Sequence, residues 1–406
     1  MRYWRWASTA AVLLISAKAS AQSNVLIYGI IDYGLNFVNN AQTAVPGGGR
    51  TGSHQYAMSS SIMQGNRLGF RGTEDLGGGY QAIFVLENGF DIGTGTLGQG
   101  GNIFGRQAYV GVSSPYGTIT LGRQYDSVVD FIGPITGAVG NGTYSLHGND
   151  INNFGNTYRV NNAIKFTSNT YGGFKFGGLY SFGGVAGSFG TNSVYSAGAS
   201  YANGPFTAAL GYLRARDPNR SFFGNNPNSS ATANNLGAIN GVQTNPVYGG
   251  FDSAAYYQVM GAAFQYGSQG LVLGFDYSHI TFGDLNSPSS GTLSLTNPRG
   301  YTGTATFNSY NVFTRYAVSP FLWLNGSYDY LVGGAIDGKE GAKYHMFNAS
   351  VDYFLSKRTD VYFMANYQIA SGKDSTGQSA VASYLTITPS NTSHQVVLRV
   401  GMRHRF

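Results

Sequence analysis

No cysteine occurs anywhere in the 406 residues, which excludes a disulfide framework and a thiolate metal site. Charge is scarce as well: Asp, Glu, Lys and Arg make up 10% of the chain, against about 25% in a soluble globular domain. Beyond the N-terminus, no apolar run reaches the roughly twenty residues that a membrane-spanning helix needs. Lys and Arg stand singly rather than in the blocks that bind nucleic acid, so no nucleic-acid partner is expected. The six histidines show no H-E-x-x-H spacing, which leaves neither a zinc site nor a catalytic base in view. Gly93–Gly98 matches G-x-G-x-x-G, but no helical pattern follows it and it reads as a loop. Glu74 and Asp75 fall in a tight turn, as solvated turn residues.

What the chain does have is sixty glycines, thirty tyrosines and twenty-six phenylalanines with only eleven prolines. Aromatics at 15% contradict the signature of disorder. Tyr, Phe and Thr favour strands while glycine marks turns and loops, so the class is all-β.

The N-terminus has its own logic. Met1–Trp6 is basic, Ala10–Ala17 is short and apolar, and Ala19-Ser20-Ala21 has the A-x-A form of a cleavage site. Residues 1–21 therefore read as a secretory signal, and 22–406 as the mature domain. Arg2, Arg5 and Lys18 supply three of the six net positive charges, so the mature domain is only mildly basic. Without a spanning helix, the exported chain is either soluble or a closed barrel, because in hydrocarbon an open sheet edge has no water to bond.

The strands decide. Val396, Leu398, Val400, Met402, His404 and Phe406 share one parity, while Gln395, Val397, Arg399, Gly401, Arg403 and Arg405 share the other. The same apolar/polar alternation recurs at Val361–Ile369, Leu271–Ser278 and Val25–Phe37. These runs reach about ten residues where a usual strand has five or six, and ten is the length that crosses a bilayer at a tilt.

Links between the runs alternate in length. Short ones fall near Glu74–Gly79, Ser114–Gly117, Thr170–Gly173, Ala202–Pro205, Gly267–Gly270, Val318–Pro320 and Ser356–Thr359. Long polar ones fall near Asn39–Ser59, Gly93–Asn102, Asp126–Asn156, Gly183–Asn192, Arg216–Ser253, Gly283–Gly303, Gly333–Gly341 and Ser371–Asn391. Short turns at one rim and long loops at the other predict a transmembrane antiparallel up-and-down β-barrel of about sixteen strands, with no second domain.

The third long link stands out. About thirty residues with no sustained helical period separate Arg123 from Arg159, and inserts of that length are uncommon and usually functional. The expectation is that this loop, about residues 125–157, folds into the lumen and sets Asp126 and Asp130 opposite arginines on the wall.

Five segments carry a resemblance to a known family: NVLIYGIIDY at Asn24–Tyr33, NRLGFRGTEDLGGG at Asn66–Gly79, FGRQAYVGV at Phe104–Val112, GTITLGRQYD at Gly117–Asp126, and the terminal RHRF. Together they resemble the general-diffusion porins of Gram-negative outer membranes, close to the Burkholderia and Neisseria type. The resemblance covers essentially the whole mature chain. It implies an outer-membrane homotrimer passing small hydrophilic solutes, seated among lipid and lipopolysaccharide and needing no cofactor. It also implies that assembly machinery reads the terminal Phe406, and that a basic wall cluster faces acidic groups on the inserted loop. Carried over by position, that cluster is Arg67 and Arg71 on the second strand, Arg106 on the fourth, Arg123 at the end of the fifth, and Arg159 and Lys165 on the sixth. The Gly93–Asn102 loop is the candidate subunit latch.

Parity supports most of this set. Arg67 and Arg71 oppose Leu68 and Phe70, and Arg159 and Lys165 oppose Ile164 and Phe166. Arg106 shares parity with Val110 and Val112, which would turn it to lipid, and it stays in the set on resemblance alone.

The loop tip, Pro134 to Gly140, carries no acid, so the narrowing is expected to be positive and mildly anion-selective. Two unit charges about 8 Å apart in water interact by roughly 0.5 kcal/mol, so a surplus of about three biases ions by on the order of tenfold at low salt. A substrate-specific channel for sugars or organic anions is the alternative, with Tyr28, Tyr362 or Trp323 as lining aromatics. A barrel enzyme would need a Ser-His or Asp-His constellation that the spacing does not offer. A soluble exported sandwich is the remaining reading.

Overall fold

Each alternating segment becomes an antiparallel strand in the computed structural model, which describes residues 24–45, 49–221, 223–225, 238–239, 242–243, 245–287 and 300–406. The secretory signal expected over 1–21 lies outside the described residues. The first eight strands of the barrel are β1 (Asn24–Ala44), β2 in two arms (Arg50–Ser60 and Arg67–Gly77), β3 (Tyr80–Asn88), β4 (Gln107–Ser114), β5 (Gly117–Gln124), β6 (Val160–Ser168), β7 (Phe174–Ser181) and β8 (Val194–Asn203). The second eight are β9 (Phe206–Arg216), β10 (Tyr256–Ser268), β11 (Leu271–Leu285), β12 (Gly303–Ser319), β13 (Leu322–Gly333), β14 (Lys343–Phe354), β15 (Thr359–Ser371) and β16 (His394–Arg405).

Every strand pairs with the next, and β16 returns to β1 in register from Ile30↔Arg405 to Val38↔Val397. The sheet closes with sixteen strands and leaves no edge unpaired, which is the condition hydrocarbon imposes. The seam is fastened from inside. Arg399 and Asp32, both fully buried, pair at 3.5 Å, and Tyr362 donates its hydroxyl hydrogen to Asp32. Removing either partner of such a pair leaves an uncompensated buried charge.

Alternation sorts the two faces. Val110, Leu121, Leu210 and Val400 are each more than half exposed on the outer surface, where acyl chains rather than water suit them. The seven tight links and eight long ones fall where the pattern placed them, with one difference. Asn39–Ser59 is not a loop: β1 and β2 stay paired through Ala44↔Arg50, beyond the apolar belt. Polar side chains there hid a continuing ladder, because backbone pairing is indifferent to hydropathy.

The main apolar core lies inside the barrel. After β5 the chain turns inward as α1 (Ser127–Phe131), a short 3-10 turn at Gly133–Ile135 and α2 (Ala138–Asn141), so the insert is more helical than its sequence period predicts. Val128, Phe131, Ile132 and Phe154 from the insert pack on Leu179, Ala209, Leu213 and Val259 of the wall. Glycine makes the room. A Cβ added at Gly198 would lie 2.5 Å from Phe131, and one at Gly261 would lie 2.5 Å from Phe154 and 2.8 Å from Ile132.

Replacing Gly198 with leucine should therefore overpack this inner core and destabilise the protein by about 1–3 kcal/mol. Thermal unfolding in detergent measures it, and an unchanged midpoint would contradict a loop seated on the wall.

Candidate functional site

From α1 the insert crosses the lumen and is received by a break in the facing wall. Between its two arms β2 leaves the ladder at Ser61–Asn66, a detour held by Asp32. The backbone of Gln64 donates to the Asp32 carboxylate at 2.9 Å, and the backbone of Asp32 donates to Asn66 Oδ1 at 2.6 Å. The freed carbonyls then accept from the loop: Thr143 N bonds Ile62 O at 2.7 Å and Thr143 Oγ1 bonds Ser61 O at 3.2 Å. Gly142, at φ +63°, passes so close that a Cβ would meet Ile62 O at 2.4 Å. Ser350 on β14 bonds Gly140 O at 2.8 Å.

A second anchor is a neutral imidazole: burial pushes His147 down to about 4. His147 Nε2 lies 3.2 Å from Asp276 on β11 and 3.4 Å from Asp329 on β13. The Asn152 amide donates to His147 Nδ1, which puts the imidazole proton on Nε2, toward the carboxylates. Asn152 also reaches Ser278 at 2.9 Å, and Tyr257 donates to Ile151 O at 2.6 Å.

What the crossing leaves open is a passage of about 780 Å³ between loop and wall. Six arginines line it: Arg67, Arg106, Arg159, Arg315, Arg403 and Arg405, with Trp323 and Asp352 beside them. Three carboxylates pair with part of this set. Glu87 meets Arg106 at 2.8 Å, Asp352 meets Arg403 at 3.1 Å, and Asp360 meets both Arg403 and Arg405 at 3.1 Å. Arg67 bonds the Gly65 carbonyl at 3.0 Å, Arg159 the Thr157 carbonyl at 2.9 Å and Arg315 the Gln265 amide oxygen at 3.0 Å, all neutral acceptors. Gly65 lets two of these guanidinium groups converge: a Cβ there would sit 2.9 Å from Arg106 and 3.7 Å from Arg67.

Of the eight charged residues picked out from sequence, the structure brings three to the passage: Arg67, Arg106 and Arg159. Arg106 escapes the parity that would have sent it to lipid because it precedes β4, outside the regular ladder, and turns inward to Glu87 and the Tyr125 hydroxyl. Arg123 is held away from the passage by the Gly105 carbonyl at 2.8 Å and by Asn161. Arg71 lies over the Tyr28 ring at 5.4 Å, below the passage toward the short-turn rim. Lys165 and Asp130 form a pair of their own at 2.7 Å, so Asp130 faces a lysine rather than the arginines.

Asp126 differs most from expectation. It does not face the wall arginines; it is fully buried as the N-cap of α1, accepting from Val128 N at 2.9 Å and from Asn153 Nδ2 at 2.7 Å. Burial pushes its carboxyl up to about 7, and burial pushes Asp150 in the same loop up to about 6. An acid cap followed by a short helix is a local demand of the backbone, satisfied at the cost of any role across the lumen.

Sequence reasoning missed Arg315, Arg403 and Arg405. Arg315 opposes Val312, Tyr316 and Val318, the same parity test that placed Arg67. Arg403 and Arg405 were visible on the polar parity of the last strand, but only closure of β16 on β1 brings them beside Arg67, since both Arg405 and Arg67 stand opposite Ile30.

Residues 7–373 match the family described as Gram-negative porin. An outer membrane porin protein of Bordetella pertussis is 29% identical over 391 residues, covering 88% of this chain and 92% of that protein. Outer membrane porin protein 32 of Delftia acidovorans is 34% identical over 227 residues, 51% of this chain and 58% of that protein. Among solved structures, an anion-selective porin from Comamonas acidovorans superposes with a TM-score of 0.69 at 22% identity, over 95% of this chain and all of that one. OmpT of Vibrio cholerae superposes at 0.63 with 12% identity, over 96% of this chain and 100% of that one. At these identities the two structures speak for the fold.

Two outcomes follow from the anchors. His147→Ala leaves two fully buried carboxyl groups without the Nε2–H that reaches them, which should loosen the loop by about 1–3 kcal/mol, raising single-channel conductance and current noise. A channel indistinguishable from wild type would contradict the anchor. Asp126, raised from 3.8 to about 7, contributes docking stability that is full below 3.8 and is lost as pH rises through about 7. Hydrogen exchange at Val128 and Val129, corrected for the intrinsic rate, should accelerate between about pH 6 and 8. Flat protection over that range would contradict the linkage.

Proposed function

The chain belongs to the Gram-negative porin family, and from that premise we propose how its barrel selects what it passes. As a porin it resides in the outer membrane and conducts passively through a water-filled barrel. Its relatives are channels rather than enzymes.

The selectivity we infer is for anions, and one observation carries it: among the described residues, six arginines line the passage and three carboxylates answer them. The three remaining guanidinium groups line the passage with neutral bonding partners. At about 8 Å across water each contributes roughly 0.5 kcal/mol, so the three together favour an anion over a neutral solute on the order of tenfold at low salt. The Debye length of about 8 Å at physiological ionic strength trims this to a mild preference. Arginine keeps its charge at any physiological pH, which suits a permanent filter. The loop does not oppose it, because Asp126 is buried as a cap and Asp130 is paired with Lys165. The similar porin of Comamonas acidovorans is anion-selective, which is consistent with this reading.

Three further proposals complete the account. Residues 1–21 are a secretory signal cleaved after Ala21. Phe406 is the terminal assembly signal; its backbone exchanges two hydrogen bonds of 3.1 Å with Gly29 of β1, so the last residue also seals the barrel. The working unit is a homotrimer, a form in which OmpT of Vibrio cholerae is also found, and the Gly93–Asn102 loop is its latch.

Reversal potentials across a planar bilayer under a KCl gradient test the selectivity. Wild type should favour chloride severalfold. The triple variant Arg67→Ala, Arg159→Ala, Arg315→Ala should lose most of that preference, about tenfold at low salt. Arg71→Ala and Lys165→Ala, away from the passage, should change it far less. Cation preference in the wild type, or equal effects of all five substitutions, would overturn the assignment.

A further inference from the structure

Charge is sparse on the outer surface of the strands, where acyl chains lie, and β9 carries an exception. Its outward parity runs Phe206, Ala208, Leu210, Tyr212, Arg214, Arg216, while Leu213 and Ala215 between them are buried on the lumen side. The ladder sets Arg214 opposite Tyr195 of β8 and Gln258 of β10, and Tyr195 opposite Tyr180 of β7. Nearer the middle of the same face, Leu210 is 64% exposed and Met260 is exposed beside Tyr212. The two arginines therefore stand where the apolar belt gives way to the long loops. A cation facing lipid costs about 2–4 kcal/mol at the bilayer midplane and about 0–1 near the interface, so arginines on this face belong at headgroup level.

Neutral groups hold both side chains. The Arg214 guanidinium lies 3.9 Å from the centre of the Tyr256 ring, and its Nη1 donates to Gln258 Oε1 at 3.0 Å, an oxygen that also accepts from the Tyr212 hydroxyl at 3.0 Å. Arg216 is exposed and donates from Nη1 to the Gly190 carbonyl at 3.3 Å. Among the described residues no carboxylate forms an ion pair with either, whereas Lys343, outward at the end of β14, is paired with Glu340 at 2.6 Å. Asp217, the acid nearest in sequence, is buried and shares its field between Arg216 and Arg220. Aromatic rings flank the pair: Phe189 stacks on Tyr180 at 5.2 Å, meets Phe182 edge-on at 5.7 Å and is itself 73% exposed.

We propose that Arg214 and Arg216 form a headgroup site for a phosphorylated saccharolipid of the outer leaflet. Residues two apart on one strand face stand about 7 Å from each other, close enough for two guanidinium groups to share one phosphate. The planar fork of arginine suits phosphate oxygens, and the exposed Phe189 ring offers a face to the sugar. The acyl chains then run down the Leu210 and Met260 surface, which already faces lipid. A solute in the pore does not reach this site, because the wall of the barrel stands between them. The assignment rests on residence in the outer membrane and not on the selectivity of the channel.

The test is native mass spectrometry of the detergent-purified protein titrated with lipid A, an acylated glucosamine disaccharide bearing two phosphates, and with the same lipid stripped of both. Wild type should bind lipid A saturably, with an apparent Kd that rises at least tenfold in the double variant Arg214→Gln, Arg216→Gln. The stripped lipid should bind wild type at least tenfold more weakly, and inorganic phosphate at equal concentration should not displace lipid A. Reversal potentials in KCl report separately on the channel, and the double variant should keep the wild-type value because both arginines face away from the lumen. Unchanged binding in the double variant, equal binding of the stripped lipid, or an equal loss in Arg50→Gln at the rim of β2 would overturn the site. Displacement by inorganic phosphate would overturn the lipid as its ligand. A double variant that dissociates into monomers without lipid present would make this face a contact between copies of the chain instead.

Discussion

Everything in this barrel depends on the contact between the apolar side of one loop and a patch of wall that has been made apolar to receive it. A lumen-facing strand position is ordinarily polar, because water fills the pore. On β7 to β10 several inward positions are instead leucine, glycine, alanine and valine, and Val128, Phe131, Ile132 and Phe154 of the loop bury against them. Hydrophobic burial, the same force that makes a soluble core, is thus confined to one side of the lumen. The open space that remains is pushed to the other side, against β1 to β4 and β12 to β16. There the wall carries its arginines.

Two consequences follow for charge. Docking removes Asp126 from the lumen and turns it into a helix cap. The far end of the loop must also be held against the opposite wall, which His147 does by reaching Asp276 and Asp329. Loop carboxylates and wall carboxylates alike are occupied with structure or with salt bridges. Positive charge is then in surplus by default, and the selectivity arises from how acids are employed as much as from how many arginines there are.

Much of the architecture was legible because a barrel in lipid writes its inside and outside at period two, and parity of Val400 against Arg399 or Leu68 against Arg67 reads it directly. Short and long links gave the rims. The limits had physical causes. Parity fails where a residue leaves the ladder, as Arg106 does before β4. Hydropathy fails where strands continue past the lipid, as at Ala41–Ser53. Spatial neighbours from opposite ends of the chain, such as Arg405 and Arg67, meet only on closure. The capping role of Asp126 had a local signal, an acid one residue before a short helix, but a five-residue helix is too brief to show a period.

Because the chain has no cysteine, a single introduced thiol can report on the passage without a background. Val139 at the loop tip lines the passage and is 45% exposed. In Val139→Cys, an anionic thiosulfonate reagent should react faster than a cationic one of similar size, and each modification should step the single-channel current down. A thiol that reacts with neither reagent, or that reacts faster with the cation and leaves the current unchanged, would contradict a positively charged passage between loop and wall.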